Sequence, residues 1–251
     1  MNIQARIIPT LLIKNRLAYV SRNFVNCEYV GDPINIINIL SAHCADEVLI
    51  VDKSASVNGC IDKYYLGLLR SVADFPLSYA GGVRTNQHVD EVFTAGFDKL
   101  VLSACNHSLI KLAEFASNKY GAQAVALSID YARNEELFTL YDPYQRMITS
   151  INLLDLLSVL PLDIISDIIL TNVISTGQYT GINTDVLFHI DSLGIKNPIL
   201  LSGGLRSLDI SLFHSIIETF ETFSGVCSST GIFLQSNRFG SALVSLNRFK
   251  G

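Results

Sequence analysis

Two short segments of this chain have the composition to hold an anion. Residues 79–85 read YAGGVRT and residues 201–207 read LSGGLRS, about half a chain length apart. Each sets a diglycine after an apolar run, with a basic residue two places on. Glycine has no side chain, so its peptide N–H groups can approach an oxyanion closely. The next apolar run in each half ends in a small, hydroxyl-rich turn, SACNHS at 103–108 and SSTG at 228–231. Backbone amides there, at the positive end of a helix dipole, form a phosphate cradle. The candidate phosphate-binding residues are therefore Gly81, Gly82, Ser103 and Ala104 in one half, and Gly203, Gly204, Ser229 and Thr230 in the other. Two such sites facing each other suit a phosphorylated small molecule with a phosphate at each end. One diglycine alone reads as a tight turn between strand and helix; the symmetric pair favours phosphate. Arg84 and Arg206 read either as further phosphate ligands or, in preference, as residues of a first helical turn.

Strands and helices must position these turns. Apolar runs at 6–12, 48–52, 77–80, 100–103, 124–130, 168–172, 199–202 and 225–228 read as strands. Helical patterns at 32–44, 63–73, 85–97, 108–121, 152–160, 183–194 and 208–220 alternate with them. Asp32-Pro33 supplies an N-cap and a first-turn proline, and Gly96, Gly121 and Gly194 fit helix stops. Eight βα units in a row imply a parallel sheet. At 251 residues they predict an α/β fold in one domain spanning 1–251, a closed (β/α)8 TIM barrel, with an open doubly wound sheet as the alternative. EVLIVD at 47–52 matches DIILTN at 167–172, and TLLIKN at 10–15 resembles SIDYAR at 128–133. With the diglycines and the hydroxyl turns, these are four matches in one order, so the barrel is expected to consist of two (β/α)4 half-barrels.

Composition narrows the function classes. The net charge of −5 and pI near 5.5 disfavour nucleic acid or an anionic membrane as partner. The longest apolar stretch, from residue 151, is cut by Asp155, Asp163, Asp167 and Pro161, so no membrane span is expected. The N-terminus lacks the pattern of a secretory signal, and the expected location is cytoplasmic. Cys27, Cys44, Cys60, Cys105 and Cys227 are scattered without CxxC spacing, and no HExxH motif occurs, so neither a metal nor a cofactor is expected.

The blocks RIIPTLLIKN, YVGDPINI, ADEVLIVDKSAS, AGGVRT, GAQAVALSID, LTNVISTGQYTG and LLSGGLRS resemble, in order and over almost the whole chain, the cyclase subunit of imidazole glycerol phosphate synthase. The resemblance implies a barrel that receives ammonia from a separate glutaminase docked on its N-terminal face. In that family the ammonia attacks a substrate with two phosphates, between a strand-one and a strand-five aspartate acting as acid and base. Here the strand-five position is Asp130, but the strand-one position is Leu12. Val20 replaces a lysine, Ser103 an asparagine and Thr176 an aspartate of the family. Thr171, Ser202, Asp52 and the glycines remain, with Gly177 among the phosphate-binding positions that the resemblance implies. Arg6, Glu47, Lys99 and Asp167 match a ring of four charges that gates ammonia at the barrel floor. Charges pointing inward at strand starts are costly unless paired, and two of each sign can close a ring.

The missing acid and the LL of PTLLIKN resemble a divergent branch of the family. In that branch the barrel passes ammonia to a third protein, an amidotransferase that amidinates sugars for surface polysaccharide. The alternative is an active cyclase/lyase of histidine biosynthesis. The sister isomerase with the same two-phosphate barrel ranks last, since it too needs the strand-one acid.

Overall fold

A closed parallel sheet needs strands whose two faces are both covered, and the eight apolar runs meet that need. The computed structural model describes residues 5–42, 45–134 and 137–229, so Thr230 lies outside the described residues. The first half runs β1 (Arg6–Lys14), β2 (Leu17–Arg22), β3 (Asn26–Gly31), α1 (Pro33–Ala42), β4 (Val48–Asp52), α2 (Lys53–Asn58), α3 (Lys63–Val72), β5 (Leu77–Ala80), α4 (Asn86–Thr94), β6 (Lys99–Ser103) and α5 (Leu109–Tyr120). The second half runs β7 (Val125–Asn134), β8 (Leu137–Asp142), β9 (Met147–Asn152), α6 (Leu153–Val159), β10 (Asp167–Asn172), α7 (Asp185–Asp191), β11 (Ile199–Ser202), α8 (Phe213–Thr219) and β12 (Phe223–Ser228). Strands β1, β4, β5, β6, β7, β10, β11 and β12 pair in parallel in that order, and β12 pairs back to β1. The fold is the (β/α)8 TIM barrel. The open sheet is excluded by the β12–β1 pairing together with that of β7 with β10.

All eight expected strands form, and each of the seven expected helical patterns holds a helix. Two antiparallel hairpins and helix α2 were not foreseen. The hairpin β2–β3 extends β1, and β8–β9 extends β7, at corresponding places in the two halves. Their turns lack the usual glycine signal. Asn15 and Arg16, between β1 and β2, and Asn23 and Phe24, between β2 and β3, have positive φ. Arg16 is held in this conformation by an ion pair to Asp62 at 2.6 Å and by stacking over Tyr65.

The half-barrel repeat extends to single hydrogen bonds. Asp52 Oδ1 accepts the Ala55 amide at 3.0 Å, and the Asp52 carbonyl accepts the Ser56 hydroxyl at 2.9 Å. In the other half Asn172 Oδ1 accepts the Ser175 amide at 3.3 Å, and its carbonyl accepts the Thr176 hydroxyl at 2.9 Å. A Cβ on Gly81 would lie 2.4 Å from the Asp52 carbonyl oxygen, and one on Gly203 would lie 2.5 Å from that of Asn172. Each diglycine therefore lets one turn lie directly on the turn before it.

Inside the barrel, Ile8, Leu49, Val101, Ala126, Ile169, Leu200 and Cys227 form an apolar layer separate from the larger core between strands and helices. The β12–β1 pairing depends on Gly225, opposite Arg6, where a Cβ would fall 2.0 Å from the Arg6 carbonyl oxygen at a φ of 143°. Gly225→Ala should cost about 2–4 kcal/mol. Gly67→Ala, in α3 with nothing within 4 Å, should gain roughly 0.5–1 kcal/mol. Urea unfolding of the two variants checks both signs.

Candidate active-site cavity and barrel floor

At the C-terminal ends of the barrel strands lies a cavity of about 830 Å³. Strand ends supply its base and the two hairpins much of its wall, through Phe24 and Val25 on one side and Tyr141 and Tyr144 on the other. Asp130, on β7, is the one carboxylate lining it among the described residues, against Lys14, Lys53, Arg84 and Arg146. That balance favours an anionic ligand.

Asp130 is partly exposed to the cavity but otherwise enclosed by protein. Burial pushes its carboxyl up to about 7, and the neighbouring Thr171 side chain acts the other way. Asp130 and Thr171 are register partners on β7 and β10. The corresponding partners on β1 and β4 are Leu12 and Val51, both apolar and both lining the cavity. One half thus presents a carboxyl and a hydroxyl where the other presents two hydrocarbon side chains.

The expected phosphate-binding residues divide. Gly81, Gly82, Ser103 and Ser229 line the cavity. Ala104, Gly177, Gly203 and Gly204 do not. The Ala104 amide donates to the Ser128 carbonyl at 2.8 Å, and Gly204 lies under the loop after β10, its carbonyl accepting the Gly181 amide at 2.9 Å. Arg84 and Arg206 precede their helices and do not sit in a first helical turn. Arg84 Nη2 donates to the Ser56 carbonyl at 2.8 Å across Gly59, and Arg206 pairs with buried Asp209 at 2.8 Å beside Gly181. The two arginines clamp equivalent loops, because each glycine leaves room for a guanidinium. Sequence reasoning missed Lys53, Tyr141, Tyr144 and Arg146. The last three stand on a hairpin whose turn, opened by Asp142-Pro143 without a glycine, was overlooked in the sequence.

At the opposite end, Arg6, Glu47, Lys99 and Asp167 come together. Arg6 Nη2 contacts Asp167 Oδ1 at 2.6 Å and Arg6 Nη1 approaches Glu47 Oε2 at 3.7 Å. Lys99 Nζ pairs with Asp167 Oδ2, which also accepts the Ser166 hydroxyl at 2.9 Å. Burial acts to raise the Asp167 carboxyl, which is 4% exposed, but the Lys99 and Arg6 cations hold it below the ordinary range. The ring is not closed, contrary to expectation. Among the described residues no ion pair joins Glu47 to Lys99, and Glu47 Oε1 instead accepts the Ser78 hydroxyl at 2.6 Å. No cluster of His, Cys, Asp and Glu among the described residues is placed to hold a metal, and no described helix is long and apolar enough to cross a membrane.

These features define a (β/α)8 barrel with an anion-suited cavity at its C-terminal end and paired charges at its floor. The histidine biosynthesis protein family matches residues 6–215, and the chain belongs to that family as a HisF-like member of the cyclase-subunit type. It is 30% identical over 245 residues to the imidazole glycerol phosphate synthase subunit HisF of Lactococcus lactis subsp. cremoris SK11, covering 95% of this chain and 90% of that one. It is 27% identical over 211 residues, 81% of each chain, to a hisF2-type subunit of Campylobacter jejuni. It is 33% identical over 131 residues, 51% of each chain, to one of Pseudomonas aeruginosa.

Asp130 and Asp167 should act oppositely on stability. Asp130 has a raised carboxyl, so its cost to the fold is absent below about pH 4 and grows as pH rises towards 7. Asp130→Asn should match the parent at pH 4 and exceed it at pH 8. Asp167 has a lowered carboxyl, so its contribution is full above about pH 4 and is lost as pH falls through the folded value. Asp167→Asn should cost about 3 kcal/mol at pH 7 by stranding two cations, and less in acid. Thermal unfolding between pH 3 and 8 reads both.

Proposed function

We propose that this chain is the barrel subunit of a glutamine-dependent assembly, receiving ammonia from a glutaminase subunit docked on its N-terminal face. The barrel passes the ammonia to a downstream amidation or amidination carried out by a third protein, an amidotransferase of surface-polysaccharide sugar synthesis. The observation that carries this reading is Leu12 facing the cavity where the half-repeat sets Asp130 on the other side. Acid–base chemistry on a bound substrate needs a group that gives a proton and another that takes one. Leu12 and Val51 can do neither, and Asp130 with Thr171 supplies one side alone.

The barrel floor and interior, in contrast, support a conduit. Paired charges at the floor favour neutral ammonia over ammonium, because a third cation there would have no free carboxylate. The apolar layer of Ile8, Leu49, Val101 and Ile169, with a Cys227 thiol that burial keeps protonated, then offers no charged group to trap ammonia before the cavity. The hisF2-type relatives fit a branch set beside the HisF subunits. Asp130, with its carboxyl at about 7, can exchange a proton with the arriving molecule.

One observation favours a second reading, an active cyclase of histidine biosynthesis. Asp130, Thr171, Gly82 and Ser103 share the cavity, so half of an acid–base site is present with a place for an anion. The purified chain, given the family's bisphosphate ribonucleotide and excess ammonium salt, separates the two, since ammonium bypasses the glutaminase. The expected result is no imidazole product from the folded protein. Losing one essential acid costs ~10²–10⁴-fold. Turnover within about 10²-fold of ordinary enzyme rates, ~1–10³ per second, would overturn the conduit reading.

A further inference from the structure

The floor ring breaks at one place, and one hydroxyl accounts for the break. In strand order the charges alternate: Arg6 on β1, Glu47 just before β4, Lys99 on β6 and Asp167 on β10. Alternating charges around a barrel of this width would be expected to join all the way round. Three contacts form: Glu47 with Arg6, Arg6 with Asp167, and Asp167 with Lys99. The fourth, between Glu47 and Lys99, does not. Strand β5 lies between them and brings Ser78 to that place, with Ser78 and Lys99 as register partners. Ser78 is 2% exposed and faces the barrel interior. Its hydroxyl donates to Glu47 Oε1 at 2.6 Å, the shortest contact that Glu47 makes.

We infer that Ser78 is a positioning residue that holds Glu47 away from Lys99 and so keeps the floor ring open between them. A carboxylate oxygen half-removed from water needs a donor. Ser78 is the nearer one, being fixed by its strand, while Lys99 is already committed to Asp167. Immediately inside the break is a void of about 10 Å³, bordered by Glu47, Ser78, Lys99 and Asp167 below and by the apolar layer above. That is close to the space one water needs, and ammonia is of similar size. On the conduit reading this break is where ammonia passes the floor; the geometry of Ser78 and Glu47 does not depend on that reading.

The test is local to Lys99. The chain is reductively methylated with ¹³C-formaldehyde, and the Lys99 methyl resonance, assigned by its loss in Lys99→Arg, is followed by NMR. Ser78→Ala frees Glu47 to swing onto Lys99. The Lys99 methyl resonance should then move from its parental position, and methylation should slow by about 3- to 10-fold, as a second carboxylate close by would impose. Ser78→Thr keeps a hydroxyl and should behave as the parent. Ser78→Ala combined with Glu47→Gln should return Lys99 to parental behaviour, which a general loosening of the floor would not do. The inference is overturned if Ser78→Ala leaves Lys99 unchanged, if Ser78→Thr acts like Ser78→Ala, or if the double variant keeps the shift. A Lys99 shift as expected, beside cyclase turnover in the ammonium assay, would leave Ser78's role intact and remove only the conduit reading.

Discussion

Closure of the sheet is the constraint on which everything else rests. Once β12 pairs with β1 and β7 with β10, eight strands face one axis and the interior has a fixed width. Every inward residue then meets neighbours from other strands at its own height. At the floor that height holds Arg6, Glu47, Lys99 and Asp167, tolerable there only because they neutralise one another. Above them the interior narrows to hydrocarbon and the Cys227 thiol, and above that it opens into the cavity. The polarity profile along the axis, from charged to apolar to cationic and hydroxyl-rich, is thus a consequence of register.

The two halves share a backbone design and differ in side chains where chemistry would occur. Asp52 and Asn172 each accept the amide three residues on with Oδ1, so the contact does not require a charge. Gly81 and Gly203, Ser56 and Thr176, and Arg84 and Arg206 repeat in the same way. At the level of Leu12 and Asp130 the correspondence breaks. A leucine beside Val51 packs without cost, whereas a carboxyl beside Thr171 is desolvated and held near neutrality. The scaffold can carry this asymmetry because βα turns and closure depend on backbone contacts and glycines, not on what points into the cavity.

The diglycines show the limits of reading a motif. Their types and spacing are compatible both with an anion cradle and with tight stacking of turns. The stacking is explicit at both copies, since Asp52 and Asn172 carbonyl oxygens occupy the space a Cβ would take. Only the first copy also faces the cavity, because Gly204 is covered by the loop after β10. The symmetric pair in the sequence is therefore an unequal pair in space.

From the sequence alone, the alternation of apolar runs and amphipathic helices determined eight strands, seven helices and the barrel class. Burial on both strand faces and helical periodicity are local patterns, legible residue by residue. The half-repeat and the absence of an acid at Leu12 were equally legible, being matters of residue type at a given offset. The hairpins were not, because their turns adopt left-handed backbone at Asn15, Arg16, Asn23 and Phe24 without glycine, and contacts such as Arg16 with Asp62 hold one of them there. Which residues line the cavity, and that Ser78 rather than Lys99 satisfies Glu47, were decided only by tertiary structure. Both depend on distances between strands far apart in the chain, which closure of the barrel sets.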